Sequence, residues 1–156
     1  MVAVGITTEG KRIEFECRYG LYCVHKDLVS LEIPKGVKCV YCWNNQLTKL
    51  IIPVGIKEVY CWSNKLTELI LPEGITKVDC GDNLLTELIV PESVNLLICN
   101  NNKLTELILP KDVTHLSCWD NKLTELHIPE SVEWLLCDKE VSGLEEFIGK
   151  VDIELW

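Results

Sequence analysis

The cysteines are the residues of this chain whose number and spacing most directly suggest chemistry. Seven of the nine recur every nineteen residues, at Cys23, Cys42, Cys61, Cys80, Cys99, Cys118 and Cys137. Thiolates bind metals and exchange disulfides, so a metal site, a redox relay and a disulfide staple are three chemical interpretations. A column of free cysteines packed as small apolar side chains is the structural alternative.

The local pattern favours core packing for this column. Cys42 is predicted to point inward from a short strand and Cys39 outward, so the pair straddles the strand and suits zinc poorly. Thiols on neighbouring parallel strands point the same way, which disfavours disulfides. We therefore predict no metal site and no cofactor. Cys17 and Cys39 lie outside the column, and we expect them to be the more reactive thiols.

Two polar columns follow the same period. The asparagines are either a ligand-binding ladder or, as we favour, side chains that satisfy free backbone groups at a turn. The glutamates stack like charges, which a cation or a basic partner would relieve; we favour a solvated face that blocks aggregation. The members are Asn45, Asn64, Asn83, Asn102 and Asn121, then Glu68, Glu87, Glu106 and Glu125, with Lys49 in the first glutamate position.

Short repeated elements must position these columns. A fixed period of nineteen residues indicates a solenoid, in which stacked neighbours bury apolar side chains that no single repeat buries alone. Within one repeat, Val59-Tyr60-Cys61 alternates as a strand, and Leu66, Leu69 and Leu71 return inside. Pro72-Glu73-Gly74 predicts a type I turn, with the proline at its second position.

The ends of the chain depart from the repeat. Alternating apolar residues on both sides of Thr8-Glu9-Gly10-Lys11 predict a β-hairpin, which we interpret as an N-terminal cap over residues 1–20. Residues 21–141 hold about seven repeats, the first and last degenerate. Residues 142–156 are predicted to form a C-terminal cap, with a helical turn in 142–149 and a final strand. The whole chain, 1–156, is predicted to be a single domain.

The repeat resembles a known family. Residues 56–66 read I-K-E-V-Y-C-W-S-N-K-L, which is similar to the leucine-rich repeat segment L-x-x-L-x-L-x-x-N-x-L with cysteine at the third leucine. The continuation L-T-E-L-I-L-P looks like the short units of bacterial effector-type and large-DNA-virus leucine-rich repeat proteins. The resemblance implies a mostly β solenoid with a curved parallel sheet on its concave side. The nineteen-residue period is one residue shorter than that family's usual range, so we expect an extended or turn-rich convex side rather than a helix.

Composition and charge exclude several classes of function. The net charge of −9 argues against a nucleic-acid partner, since such proteins carry a basic face. No apolar run approaches the roughly 18 residues of a membrane span, and the N-terminus lacks the pattern of a signal peptide. We expect an intracellular, cytoplasmic protein, in the host cytoplasm or the virion if the source is viral, with no membrane partner.

Catalysis finds little support in the sequence. His25, His115 and His127 are scattered, no nucleophile recurs with a histidine and a carboxylate, and the glycines fall at turns. We therefore predict no catalytic residues and no enzyme activity.

The positions that the repeat does not dictate are the informative ones. Two aromatic or apolar groups flank a middle strand that carries Lys77, Asp79 and Gly81. Exposed aromatic surface is typical of protein interfaces, although stacked rings can also simply stabilise neighbouring strands. The predicted partner-binding residues of the concave face are Tyr22, Tyr41, Trp43, Tyr60, Trp62, Trp119 and Trp134.

Three functional hypotheses follow. The first is a non-catalytic module that binds a protein partner through this face. The alternative is a structural or assembly protein that self-associates as a homo-oligomer, for instance in a virion. A thiol- or metal-dependent protein is the third.

Overall fold

A computed structural model describes residues 1–144 and 152–155 of the chain. Its regular structure consists of short β-strands, and the described residues contain no helix. The strands are β1 (Val2–Thr7), β2 (Arg12–Glu16), β3 (Gly20–Tyr22), β4 (Leu28–Glu32), β5 (Cys39–Tyr41), β6 (Lys49–Ile51), β7 (Glu58–Tyr60), β8 (Glu68–Ile70), β9 (Lys77–Asp79), β10 (Leu96–Ile98), β11 (His115–Ser117), β12 (Trp134–Cys137) and β13 (Asp152–Leu155).

The largest sheet, called the long sheet here, contains one strand from every repeat. Its described strands are parallel and follow the order β3-β5-β7-β9-β10-β11-β12-β13. Val40 pairs with Val59, and Val59 pairs with Val78, so the register steps by one repeat. Parallel neighbours require the chain to return by another path, and each repeat therefore makes one coil. The predicted mostly β, parallel solenoid of nineteen-residue repeats is confirmed at this level.

The interior consists of columns of like side chains. Val59 and Cys61 in one coil, and Leu66 on its return side, have no exposed surface, and the same holds one repeat later at Val78, Cys80 and Leu85. Each side chain leaves water only when the coils on both sides of it are in place. Burying one leucine or valine stabilises the fold by about 1.5–3 kcal/mol, so stability depends on the stack of coils.

A sharp corner follows each column cysteine. The residue that precedes the ladder asparagine lies in the left-handed region, with φ of 53° at Asn44 and 51° at Ser63. The Asn64 amide nitrogen donates to the carbonyl oxygens of Cys61 and Cys42, both at 3.0 Å, and its carbonyl oxygen accepts from the Leu47 amide at 3.1 Å. Each asparagine thus ties its own corner to the preceding coil. The prediction that the asparagines satisfy backbone groups at a turn is confirmed.

Pro72 marks a second turn, whose type differs from the prediction. The Ile75 amide donates to the Pro72 carbonyl at 3.5 Å, and Gly74 has φ of 83°. Pro72 is therefore the first residue of the turn and Gly74 the third, where a positive φ is typical of a type II turn. The type I turn with proline in its second position was wrong, because the Pro-x-Gly pattern alone does not fix which residue opens the turn.

The return side is hydrogen-bonded only in part. β6 and β8 pair in parallel, and the Lys103 amide donates to the Leu85 carbonyl at 2.8 Å. No backbone hydrogen bond joins residues 86–90 to residues 105–109 among those described. The coils that contain segments 86–90 and 105–109 are therefore joined along the long sheet, but these two described segments are not hydrogen-bonded to each other.

The predicted N-terminal hairpin is present as β1 and β2, which pair antiparallel. It does not extend the long sheet, because β1 pairs with β4 on the return side. Ala3 and Leu28, on these two strands, are fully buried. Whether the hairpin acts as a cap stays a prediction. The predicted last strand is present as β13, beside β12, while most of the helical turn predicted for 142–149 lies outside the described residues.

Candidate functional site

The outer face of the long sheet carries three columns of side chains that the repeat does not fix. They lie three residues before, one residue before and one residue after each column cysteine, and we call them the first, second and third columns. The first holds Gly20, Cys39, Glu58, Lys77, Leu96, His115 and Trp134; the second Tyr22, Tyr41, Tyr60, Asp79, Ile98, Ser117 and Leu136; the third Val24, Trp43, Trp62, Gly81, Asn100, Trp119 and Asp138.

Five of the seven predicted binding residues form one continuous aromatic patch, which consists of Tyr22, Tyr41, Tyr60, Trp43 and Trp62. The Tyr41 ring stacks on Tyr22 with centroids 4.6 Å apart and on Tyr60 at 5.1 Å. Trp43 stacks on Trp62 at 5.6 Å and meets Tyr41 edge-on at 5.9 Å. Parallel register causes this arrangement, since it places like residues about 4.8 Å apart. The hypothesis that the rings stabilise neighbouring strands is supported by these stacks.

Stacking leaves part of the aromatic patch in contact with solvent. Tyr22 is 67% exposed, and the other four rings are half-buried. Burial and the neighbouring Cys39 raise the pKa of Tyr41 to about 12, so its hydroxyl stays protonated and able to donate a hydrogen bond. The hairpin leaves Tyr22 exposed because it pairs on the return side. All five rings of the aromatic patch therefore remain partly accessible to solvent.

The middle strand, β9, interrupts the aromatic columns with small and charged side chains. Lys77 forms an ion pair with Glu58 at 3.2 Å, and Glu58 also accepts a hydrogen bond from the Tyr60 hydroxyl at 3.3 Å. Asp79 follows Tyr60 in the second column and accepts a hydrogen bond from the Gly81 amide at 3.3 Å. Burial raises the pKa of Asp79 to about 6. This carboxylate has no cationic partner among the described residues.

Trp119 and Trp134, which we predicted to form a second contact, lie in different columns. Trp134 is in the first column and packs against His115, with ring centroids 6.5 Å apart. Trp119 is in the third column. It belongs to the same coil as His115, which precedes the coil of Trp134. Both tryptophans are half-buried. They belong to the same outer face, but they do not continue the aromatic patch, from which β9 and β10 separate them.

The structure buries the thiols without deciding which of them is the most reactive, so the expectation about Cys17 and Cys39 stays a prediction. All nine cysteines are free and buried, including Cys17 and Cys39. Burial raises the pKa of Cys23 to about 12 and raises that of Cys61 well above its ordinary value. Cys39 is in an outer column, but Tyr19 and Tyr41 lie against its thiol and leave it 6% exposed. Cys17 is 3% exposed, so both thiols outside the column are shielded from solvent. The described residues hold no cluster of three or more metal-ligating side chains.

The return side presents a second exposed surface. Ile89 and Ile108 are 85% and 74% exposed beside the glutamate column. Lys49, in the first position of that column, pairs with Glu68 at 2.8 Å. Between the coils lie open grooves, one of them about 500 Å³ and lined by residues from 105 to 127. Its polar lining consists of threonines, glutamates and His127, whose ring lies 3.7 Å from the Glu125 carboxylate.

Sequence reasoning missed two features of the outer face. The left-handed corner recurs at Asn44, Ser63, Asp82, Asn101 and Asp120, and the preference of short polar residues for this conformation was a usable signal. The second feature is the contact of the Asn100 amide with Gly81, where a Cβ atom would lie 3.1 Å from the Asn100 oxygen. No pattern within one repeat predicts that contact, because it joins two coils.

Comparison with known protein families finds no match for this chain, and comparison with curated proteins finds no similar sequence. The described residues contain no helix that is long and apolar enough to cross a membrane.

Proposed function

We propose that this protein is a non-catalytic interaction module of the leucine-rich-repeat type, which binds a protein partner through the outer face of its long sheet. The observation that carries the proposal is the aromatic patch, whose tyrosine and tryptophan rings are stacked in fixed orientations and still reach solvent. Rigid aromatic side chains lose little conformational entropy on binding and dominate the energy of many interfaces.

The arrangement of the coils supports a concave binding face. Neighbouring coils are hydrogen-bonded along the long sheet, whereas the return segments 86–90 and 105–109 are not joined and have a groove between them. A stack of coils that is hydrogen-bonded along one side only bends toward that side. A bend of this kind brings the three outer columns toward a common partner.

An affinity pull-down from native cell extract tests the proposal with matched variants. The Tyr60→Ala/Trp62→Ala double variant removes two half-buried rings of the aromatic patch, and we expect at least a tenfold loss of partner affinity, roughly the effect of removing two hot-spot residues. The control is the Ile89→Ala/Ile108→Ala variant, which removes two exposed apolar side chains from the return side and should retain the partner. A thermal melt of each variant verifies that it folds.

A partner that both variants retain equally would show that the outer face is the wrong surface. Loss with the return-side variant alone would transfer the proposal to the grooves between the return segments.

The second candidate is self-assembly through the end of the solenoid. β3 is the edge strand of the long sheet, and Tyr19 and Tyr22 beside it are 68% and 67% exposed. An unpaired edge is a template for another chain. Light scattering on a size-exclusion column separates the candidates, since a stable dimer or larger species that Tyr22→Lys converts to a monomer would favour assembly.

The remaining parts of the proposal follow from the same face. A rigid sheet without a converging set of titratable residues suits binding rather than catalysis. We propose a protein partner rather than nucleic acid, given the net charge of −9. The proposed location is the cytoplasm, or the virion if the source is viral, and no cofactor is proposed.

A further inference from the structure

The third column has a gap in its row of rings at Gly81. Trp43 covers one face of the Trp62 indole, with the two planes 9° apart. The opposite face of Trp62 points along the column to Gly81, which has no side chain. Asn100 is the next residue in the column, one coil beyond Gly81. We call the space between Trp62 and Asn100 over this glycine the Gly81 notch.

The far wall of the Gly81 notch is an amide with unused hydrogen-bonding groups. The side-chain oxygen of Asn100 lies 3.1 Å from the point where a Gly81 Cβ would be. The described residues provide no hydrogen-bond partner for this side chain, although the Asn100 backbone carbonyl accepts from Asp82 and Asn102. Its oxygen is therefore free to accept a hydrogen bond from a group in the notch.

An acidic side chain flanks the notch on the same strand. Asp79 precedes Gly81 by two residues on the outer face, and it lies between Tyr60 and Ile98 in the second column. Lys77, the basic residue of that strand, already pairs with Glu58, and no ion pair to Asp79 exists among the described residues. Asp82, which is exposed beside the notch, receives a hydrogen bond from Asn101 at 2.5 Å. The notch thus combines an aromatic face, an amide oxygen and a carboxylate without a counter-ion.

We propose that the Gly81 notch binds an arginine side chain of the protein partner, with the guanidinium stacked on Trp62 and donating hydrogen bonds to Asp79 and Asn100. The proposal rests on the proposed function, since it names the side chain that the outer face would recognise. Neighbouring strands are about 4.8 Å apart, so Trp62 and Asn100 rise from strands two steps apart and enclose one planar group.

An arginine side chain fits the Trp62 ring, the Asp79 carboxylate and the Asn100 amide better than a lysine side chain does. Its guanidinium is planar, stacks on tryptophan and presents several N–H donors in one plane, whereas a lysine ammonium is compact and strongly hydrated. The net charge of −9 also favours a basic segment of the partner.

Selection of displayed random peptides on the immobilised protein tests the inference. We expect the peptides that require Trp62 to be enriched in arginine. Replacing that arginine by citrulline, its neutral isostere, should weaken binding about tenfold. The Asp79→Asn variant should weaken binding to a similar extent, whereas Asp112→Asn, an equal change of charge at an exposed turn, should leave it unchanged.

The outcomes separate this inference from the proposed function. Two results would overturn the arginine site and leave the proposed interaction module unaffected. In the first, the peptides require Tyr60 and Trp62 but are not enriched in arginine. In the second, Asp79→Asn does not change their binding. Selected peptides that are indifferent to Tyr60 and Trp62 would overturn both. If no peptide is selected, the protein is titrated with N-acetyl-arginine methylamide, and the NMR signal of the Trp62 indole is followed. A saturable shift that the lysine analogue does not produce supports the arginine site. The absence of such a shift overturns it.

Discussion

Asp79 carries the carboxylate of the proposed arginine site, and its position in the fold is unfavourable for the charged form. Its carboxylate lies half-buried between Tyr60 and Ile98, with the Gly81 amide as its hydrogen-bond donor. Desolvation raises its pKa and the charge of Asp82 adds to the effect, while Lys77 is occupied by Glu58. Carboxylates with a raised pKa occur frequently at functional sites.

The first prediction concerns the pH dependence of stability. The pKa of Asp79 is about 6 in the folded protein and 3.8 ordinarily, so the protonated form is favoured by folding. This contribution is fully present below pH 3.8 and is lost as the pH rises through about 6. Asp79→Asn should therefore gain about 1–2 kcal/mol of unfolding free energy relative to the wild type between pH 4 and pH 7.5.

Urea unfolding of both proteins across this pH range measures the difference. Asp112→Asn, at an exposed turn, serves as the control and should follow the wild type. A difference between Asp79→Asn and the wild type that does not change with pH would contradict the prediction.

At the scale of the element, the corner with its asparagine is the device that joins one coil to the next. Asn83 donates to the carbonyls of Cys61 at 3.2 Å, Cys80 at 3.1 Å and Gly81 at 3.0 Å, and it accepts from the Leu66 amide at 2.9 Å. It is 6% exposed, so water has little access to these backbone groups. The Asp82 and Asn83 backbone amides also donate to the next coil, at 3.0 and 3.1 Å, but the Leu66 amide of the preceding coil depends on the Asn83 side chain.

The second prediction follows from this network. Asn83→Ala removes four hydrogen bonds and leaves the Leu66 amide without its acceptor, whereas the Cys61, Cys80 and Gly81 carbonyls each keep another donor. We expect a loss of about 2–4 kcal/mol of unfolding free energy. The control is Asn95→Ala, since the Asn95 side chain is exposed and should change stability by less than about 0.5 kcal/mol. Equal effects of the two variants in urea unfolding would show that the asparagine column is not what holds the corners.

At the scale of the whole molecule, the stack of coils determines which groups water can reach. The five inner column cysteines are buried because each lies between the cysteines of the two adjacent coils, and Cys17, Cys23, Cys39 and Cys137 are buried in part by other neighbouring residues. Burial raises the pKa of the thiols, as at Cys23 and Cys61. A reagent that attacks thiolates therefore needs the coils to separate first.

The third prediction is that the native protein resists thiol modification. We expect a disulfide reagent such as dithionitrobenzoate to label none of the nine cysteines promptly and all of them after unfolding. An engineered Thr105→Cys variant provides the positive control, since Thr105 is exposed on the return side. Prompt labelling of a native cysteine would show that part of the stack opens readily.

The sequence alone determined the architecture to a large extent. The nineteen-residue step, the inward alternation at Val59 and Cys61 and the hairpin around Gly10 all appear in the structure as predicted, because each depends on residues close together in the chain. The same pattern identified Tyr41, Tyr60, Trp43 and Trp62 as residues of one face. Because the repeat is strict, neighbouring strands pair with a constant register, and residues at the same position of each repeat form one column.

Only the tertiary structure decided which side chains of those columns are buried and which are accessible. The burial of Cys39 under Tyr19 and Tyr41, the separation of Trp119 from Trp134 and the attachment of the hairpin to the return side depend on contacts between different coils or elements. The same is true of the Gly81 notch, which exists because Asn100 from the next coil leans over a glycine. A periodic sequence specifies which side chains become neighbours, whereas their packing specifies which of them remain accessible and unpaired.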